Sequence, residues 1–168
     1  MFEEFLGIPM HPLLVHGAVV FVPLQAIAAI AYGLWPLARR HIGWLMLSLA
    51  VVGPVTAWLA RLSGEAFESR LIRNGTSDAA VLARINEHQS LGDLTSWFAL
   101  GLGVLMIIMY LVRRRATADG SAADGSVGGG SPMLSWAVTG LTVLVSLGAL
   151  YYVVRTGDTG AHSAWMGF

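Results

Sequence analysis

Cysteine is absent from the 168-residue chain, and so is lysine. Without cysteine there are no disulfides, thiolate metal sites, iron–sulfur clusters or covalently attached c-type haem. Any metal or cofactor must then be held by His, carboxylate, Met or backbone groups. Charge of either sign is scarce: Asp, Glu and Arg together make up 12% of the residues. A soluble domain carries roughly 25%, so this chain lacks the polar surface that a water-exposed globule needs. Net charge is zero and no basic stripe occurs, which leaves nucleic-acid binding without support. There is also no nucleophile–base arrangement, P-loop or dinucleotide fingerprint to suggest a hydrolase, ATPase or dehydrogenase. The inverted repeat expected of a transporter is missing as well.

What the chain does have is apolar length. Hydrophobic residues make up 55% of it and fall into four runs, 13–37, 42–60, 94–112 and 133–154. The last three contain no Asp, Glu or Arg. A spanning helix needs about 20 mostly apolar residues, and in hydrocarbon each backbone polar group must be paired within its segment. The reading is a single all-α domain, an integral membrane four-helix bundle. Aromatic rings sit at the run ends, Trp35, Trp44, Tyr110 and Trp136 toward one surface and Trp58, Trp97, Tyr151 and Tyr152 toward the other. They form the belt expected at headgroup level.

Arg39 and Arg40 fall between the first two runs, and Arg113 to Arg115 directly follow the third. Both sets abut the membrane and predict cytoplasmic loops, which puts both termini outside the plasma membrane of a bacterial cell. The acidic N-terminus lacks the positive region of a cleaved signal peptide, so the first span is expected to stay in the mature protein. The Gly/Ser/Ala-rich stretch 115–131 reads as a flexible cytoplasmic linker. The loop between spans two and three reads instead as two short amphipathic helices. One runs over 63–75, with Ser63 as N-cap and Gly75 as stop. The second starts at Ser77 or Asp78, carries Val81, Ile85 and His88 on one face, and continues into span three.

This topology gathers the histidines. His11, His16, His88 and His162 fall at the external end, and only His41 lies on the other side. Imidazole is costly in hydrocarbon and marks a functional position by default. Pro12 suits the first turn of span one, so His11 stands at the helix boundary and His16 just over one turn inside. The two are about 140° apart around an ideal helix and do not form a simple clamp. His16 is expected to point into the bundle, with Val20 and Ile27 on its face, toward His88.

The quoted segments "HPLLVH", "SGE", "HQSLGD" and "RTGDTGA" resemble the domain of unknown function 2231 family of bacterial membrane proteins. The similarity covers the chain apart from the Gly/Ser linker. It implies a four-helix membrane protein without an established biochemical role. It points to His11, His16, Glu65, His88, Gly157, Asp158, Gly160 and Ala161. Members of that family often follow the second His with Phe-Pro, where this chain has Gly17 and Ala18.

Three functions compete. In the first, His16 and His88 are axial ligands of a non-covalent b-type haem for electron transfer, with Arg155 on a propionate and a quinone or external protein as redox partner. In the second, a bare Zn, Cu or Fe ion is held by His16 and His88 with His11, His162 or Glu65. In the third, the histidines only hydrogen-bond between helices of a structural or assembly protein. None of the three requires an enzyme, and all admit association with further copies of the chain.

Overall fold

A computed structural model of the chain describes residues 4–5, 7–118 and 132–165. Most of the linker expected over 115–131, from residue 119 on, lies outside the described residues. A two-residue hairpin pairs β1 (Glu4–Phe5) with β2 (Ile8–Pro9), turning at Gly7, whose φ of 81° suits glycine. Four helices follow: α1 (Met10–Leu34), α2 (Pro36–Arg73), α3 (Ala79–Ala118) and α4 (Pro132–Trp165). All four are long and apolar enough to cross a membrane.

The helices form an antiparallel bundle. α1 and α3 each pack mainly against α2 and α4, so α1 and α3 stand on a diagonal. On α1 the side facing the bundle axis is mostly small or polar, while its large aliphatic residues face outward; Met46, Leu102, Met106 and Met109 fill the centre from α2 and α3. On α1 the buried positions are Ala18, Val22, Gln25, Ala26, Ala29 and Tyr32, whereas Val20 and Ile27 are exposed. Lipid tails are as apolar as leucine, so helices in a bilayer associate by close packing of small residues and by interhelical hydrogen bonds. Gly53 and Gly103 show this: a methyl on Gly53 would overlap Gln25 Oε1, and one on Gly103 would overlap the Ala50 carbonyl.

Two boundaries differ from the sequence expectation. Span one ends at Leu34 rather than Leu37, because Trp35 is extended (φ −108°, ψ 107°) and Pro36 opens α2. A residue before proline is driven out of the helical region, and proline suits the first position of a helix. Arg39, Arg40 and His41 consequently lie inside the first turns of α2 rather than in a turn. Second, no separate helix begins at Ser63. α2 runs unbroken for 38 residues, and Ser63 Oγ donates to the Ala60 carbonyl instead of capping. The second loop helix runs on without a break as the N-terminal part of α3, as its sequence led one to expect.

At 1.5 Å per residue, a helix of this length is roughly twice as long as the ~30 Å hydrocarbon core, so α2 and α3 project together beyond it. Their projections are joined by Gln89 donating to Glu68 and by Arg61 paired with Asp93. Gly75 does stop α2, at φ 96°, with Gly75 N–H donating to the Ile72 carbonyl and Thr76 N–H to that of Leu71. Asp78 Oδ1 caps α3 by accepting from the Ala80 N–H at 2.7 Å.

Candidate functional site

Where α1 and α3 begin and α2 and α4 end, two imidazoles meet. His11 projects from the first turn of α1 and His88 from the diagonally placed α3. Their ring centroids are 6.1 Å apart, with planes at 81°. Both rings are half-buried. His11 also stacks on Phe67 of α2, at a centroid distance of 6.1 Å.

Each ring is fixed through Nδ1. His11 Nδ1 lies 3.0 Å from the Ala60 carbonyl and 3.1 Å from Ser63 Oγ, and Ser63 itself donates to that same carbonyl. A carbonyl only accepts, so Nδ1 carries the proton and Nε2 keeps its lone pair. His88 Nδ1 lies 3.1 Å from Thr159 Oγ1 on α4. Thr159 has a single hydroxyl proton and lies 3.1 Å from the carbonyls of both Arg155 and Thr156; given to either, that proton leaves Oγ1 to accept from Nδ1–H. In that tautomer both neutral imidazoles present an unprotonated Nε2, and each is oriented by a neighbouring helix. This is how proteins orient histidine ligands.

Glycines make the space. A methyl on Gly64 would stand 3.1 Å from His11 Cε1, and one on Gly160 would stand 2.9 Å from His88 Cε1. The backbones of α2 and α4 thus press close against the two rings. Two turns further along α3, Thr95 bonds hydroxyl to hydroxyl with Thr156 at 2.9 Å and ties α3 to α4 beneath His88.

The remaining sequence candidates are dispersed. His16 is exposed on the outer side of α1, and its Nδ1 lies 2.6 Å from the Pro12 carbonyl. It shares that side with exposed Val20 and Ile27 rather than facing His88. His162 is exposed, and its Nδ1 lies 3.4 Å from Asp158 Oδ1. Glu65 is exposed and pairs with Arg61 at 3.1 Å, and Arg155 is exposed on α4. Among the described residues, no group of three or more His, Asp or Glu could hold a metal ion. The structure pairs His88 with His11, and His16 stands apart.

Sequence reasoning took Ser63 for a helix cap and had Gly160 only from the family resemblance; it passed over Thr159 and Gly64, which help seat the rings, and the fully buried Gln25, whose Nε2 donates to the Ala99 carbonyl at 3.0 Å. A signal for the pairing does exist in the sequence. His11, Ala18, Gln25 and Tyr32 recur every seven residues on α1, as do His88, Thr95, Leu102 and Met109 on α3. Both stripes turn toward the bundle axis.

No curated protein and no solved structure matches the chain. The model of one family, described as a predicted membrane protein (DUF2231), matches residues 7–167. With that match and its four helices of membrane-spanning length, the chain belongs to the DUF2231 family of membrane proteins.

Proposed function

We propose that His11 and His88 are the two protein ligands of a b-type haem at the outer face of a bacterial plasma membrane, and that the protein carries electrons. The observation that carries this reading is the imidazole pair itself. Two imidazoles can share one metal ion only where their rings stand close together, since metal–nitrogen bonds are about 2.0–2.1 Å. The separation here is 6.1 Å. The donor set fits the same group. A haem brings four nitrogens and needs two from the protein, whereas a structural zinc site takes four protein ligands.

A bound haem supplies one-electron redox chemistry. The chain's own residues hold and orient it. The Ala60 carbonyl and Thr159 hydroxyl fix the two Nδ1–H groups, and Gly64 and Gly160 let α2 and α4 close against the two rings. Arg155, on the same end of α4, carries the charge that complements a propionate. A quinone or an external protein is the redox partner in this reading.

A second reading has support in the same hydrogen bonds. His11 ties α1 to α2, and His88 ties α3 to α4. A scaffold protein needs nothing more from them.

A visible spectrum of the protein purified in detergent, oxidised and reduced, separates the two. A Soret band present in wild type and in His16→Ala, but lost in His11→Ala and in His88→Ala, supports the haem. Wild-type protein that is colourless even after haem is supplied during expression leaves the scaffold.

A further inference from the structure

His16 faces out of the bundle, toward the bilayer. Between Leu13 and Leu34 every other exposed side chain of α1 is leucine, valine or isoleucine. A single imidazole thus interrupts a face otherwise built for lipid tails. Its depth follows from its neighbours. A methyl on Gly17 would stand 3.4 Å from Thr56 Cγ2, which sets His16 near the level of Trp58 on α2. Trp58 meets Trp97 edge-on at 5.3 Å, and Trp97 is exposed, as rings of a headgroup-level belt are. His11 of the imidazole pair stands five residues earlier on the same helix, roughly 7.5 Å along its axis.

The ring is held in one tautomer. The Pro12 carbonyl, 2.6 Å from Nδ1, only accepts, so in the neutral ring Nδ1 carries the proton and Nε2 keeps its lone pair. Among the described residues nothing else bonds this ring. A polar atom left unpaired against hydrocarbon is costly. The phosphate and ester oxygens of phospholipids accept hydrogen bonds and cannot satisfy a lone pair. Nε2 calls for a hydroxyl carried in the membrane. Leu13, Val19 and Val20, three or four residues away, share its side of the helix and offer an apolar bed for a ring.

We propose that His16 binds the headgroup of a membrane quinol, whose hydroxyl donates to Nε2. The choice of a quinol among lipid-soluble hydroxyl compounds rests on the electron-carrier reading above, because a quinol held here stands within two helical turns of His11 on the bilayer side. The hydrogen bond itself rests only on the geometry of His16.

The test uses the full chain in detergent micelles without oxygen, with decylubiquinol as probe and empty micelles as background. Its dimethyl ether, which has no hydroxyl to donate, and decanol are the comparisons. Equilibrium binding is measured together with nitrogen NMR of histidine-labelled protein. Decylubiquinol is expected to bind and to shift the Nε2 resonance of His16, and the dimethyl ether to do neither. His16→Phe touches no other helix and so spares the bundle; it is expected to bind the quinol about fivefold more weakly. His16→Gln, which keeps an acceptor, should recover part of that loss. Equal binding by wild type and His16→Phe, or of the quinol and its dimethyl ether, would overturn the proposal. Decanol bound as tightly as the quinol would overturn the quinol assignment in favour of a general hydroxyl site. The visible spectrum judges the haem separately. A colourless protein that binds the quinol through His16 supports this contact without the haem, and a coloured one that ignores the quinol overturns this contact and keeps the haem.

Discussion

His11 and His88 face each other across the diagonal of the bundle, 6.1 Å between ring centroids and nearly perpendicular. Each is held by a hydrogen bond to a neighbouring helix, His11 by α2 and His88 by α4. The site thus uses all four helices, although only two supply rings. This makes its integrity a sensitive report on bundle packing.

A metal-centred group at this site should be sensitive to acid. Imidazole binds metal only when unprotonated. Occupancy should therefore be lost in acid, where protons compete for the two Nε2 atoms. A spectral pH titration of the loaded protein checks this. A spectrum unchanged down to the acid unfolding of the protein would count against imidazole ligation.

The glycine seats give a second test. Gly160→Ala brings a methyl to 2.9 Å from His88 Cε1, and Gly64→Ala brings one to 3.1 Å from His11 Cε1. Overpacking of this kind costs about 1–3 kcal/mol, and Gly160→Ala should be the worse of the two. Gly101→Ala and Gly140→Ala meet nothing within 4 Å. They should be neutral or gain a few tenths of a kcal/mol from better helix propensity (~1 kcal/mol at most). Unfolding temperatures in one detergent rank the four variants, and Gly160→Ala as stable as Gly101→Ala would contradict the packing described.

Deep in the bundle, Gln25 Oε1 is buried without a hydrogen-bond partner, against the Cα of Gly53. Gly53→Ala should be strongly destabilising because its methyl would overlap that oxygen. Truncating the glutamine opens the space, so Gln25→Ala/Gly53→Ala should be more stable than the sum of the single changes predicts, by about 0.5–3 kcal/mol. Strict additivity would show that the two residues do not share the contact.

The Arg61–Asp93 pair joins the projecting parts of α2 and α3, with side chains 27% and 48% exposed. Solvent screens such a pair, so Asp93→Asn should lower stability by less than about 1 kcal/mol. Chemical denaturation measures this. A larger loss would mean that the pair is shielded by something bound over it.

Much of the fold could be read before any coordinates. The positions of Pro36 and Gly75 explain two chain reversals; both were expected, but the first was placed too late. The break at Trp35 followed from the proline after it, yet the charged Arg39–Arg40 pair drew the turn four residues too late. Ser63 resembled a helix start, and nothing local distinguishes a capping serine from one that donates back to the carbonyl of Ala60.

The facing of His16 went wrong for a different reason. In a soluble helix the apolar side is the inner side, so Val20 and Ile27 would point inward. In a membrane helix both sides are apolar, and size and polarity mark the interior instead. Ala18, Gln25 and Tyr32 formed that stripe in register with His11.

The number of spans, their helical nature and the shared end of His11, His16, His88 and His162 were fixed by composition and connectivity. A bilayer leaves an apolar run of that length no other way to satisfy its backbone. Which histidine meets His88 was decided only in three dimensions. It depends on how four nearly uniform apolar cylinders rotate about their axes, and that rotation is set by glycine and alanine contacts between helices far apart in the chain.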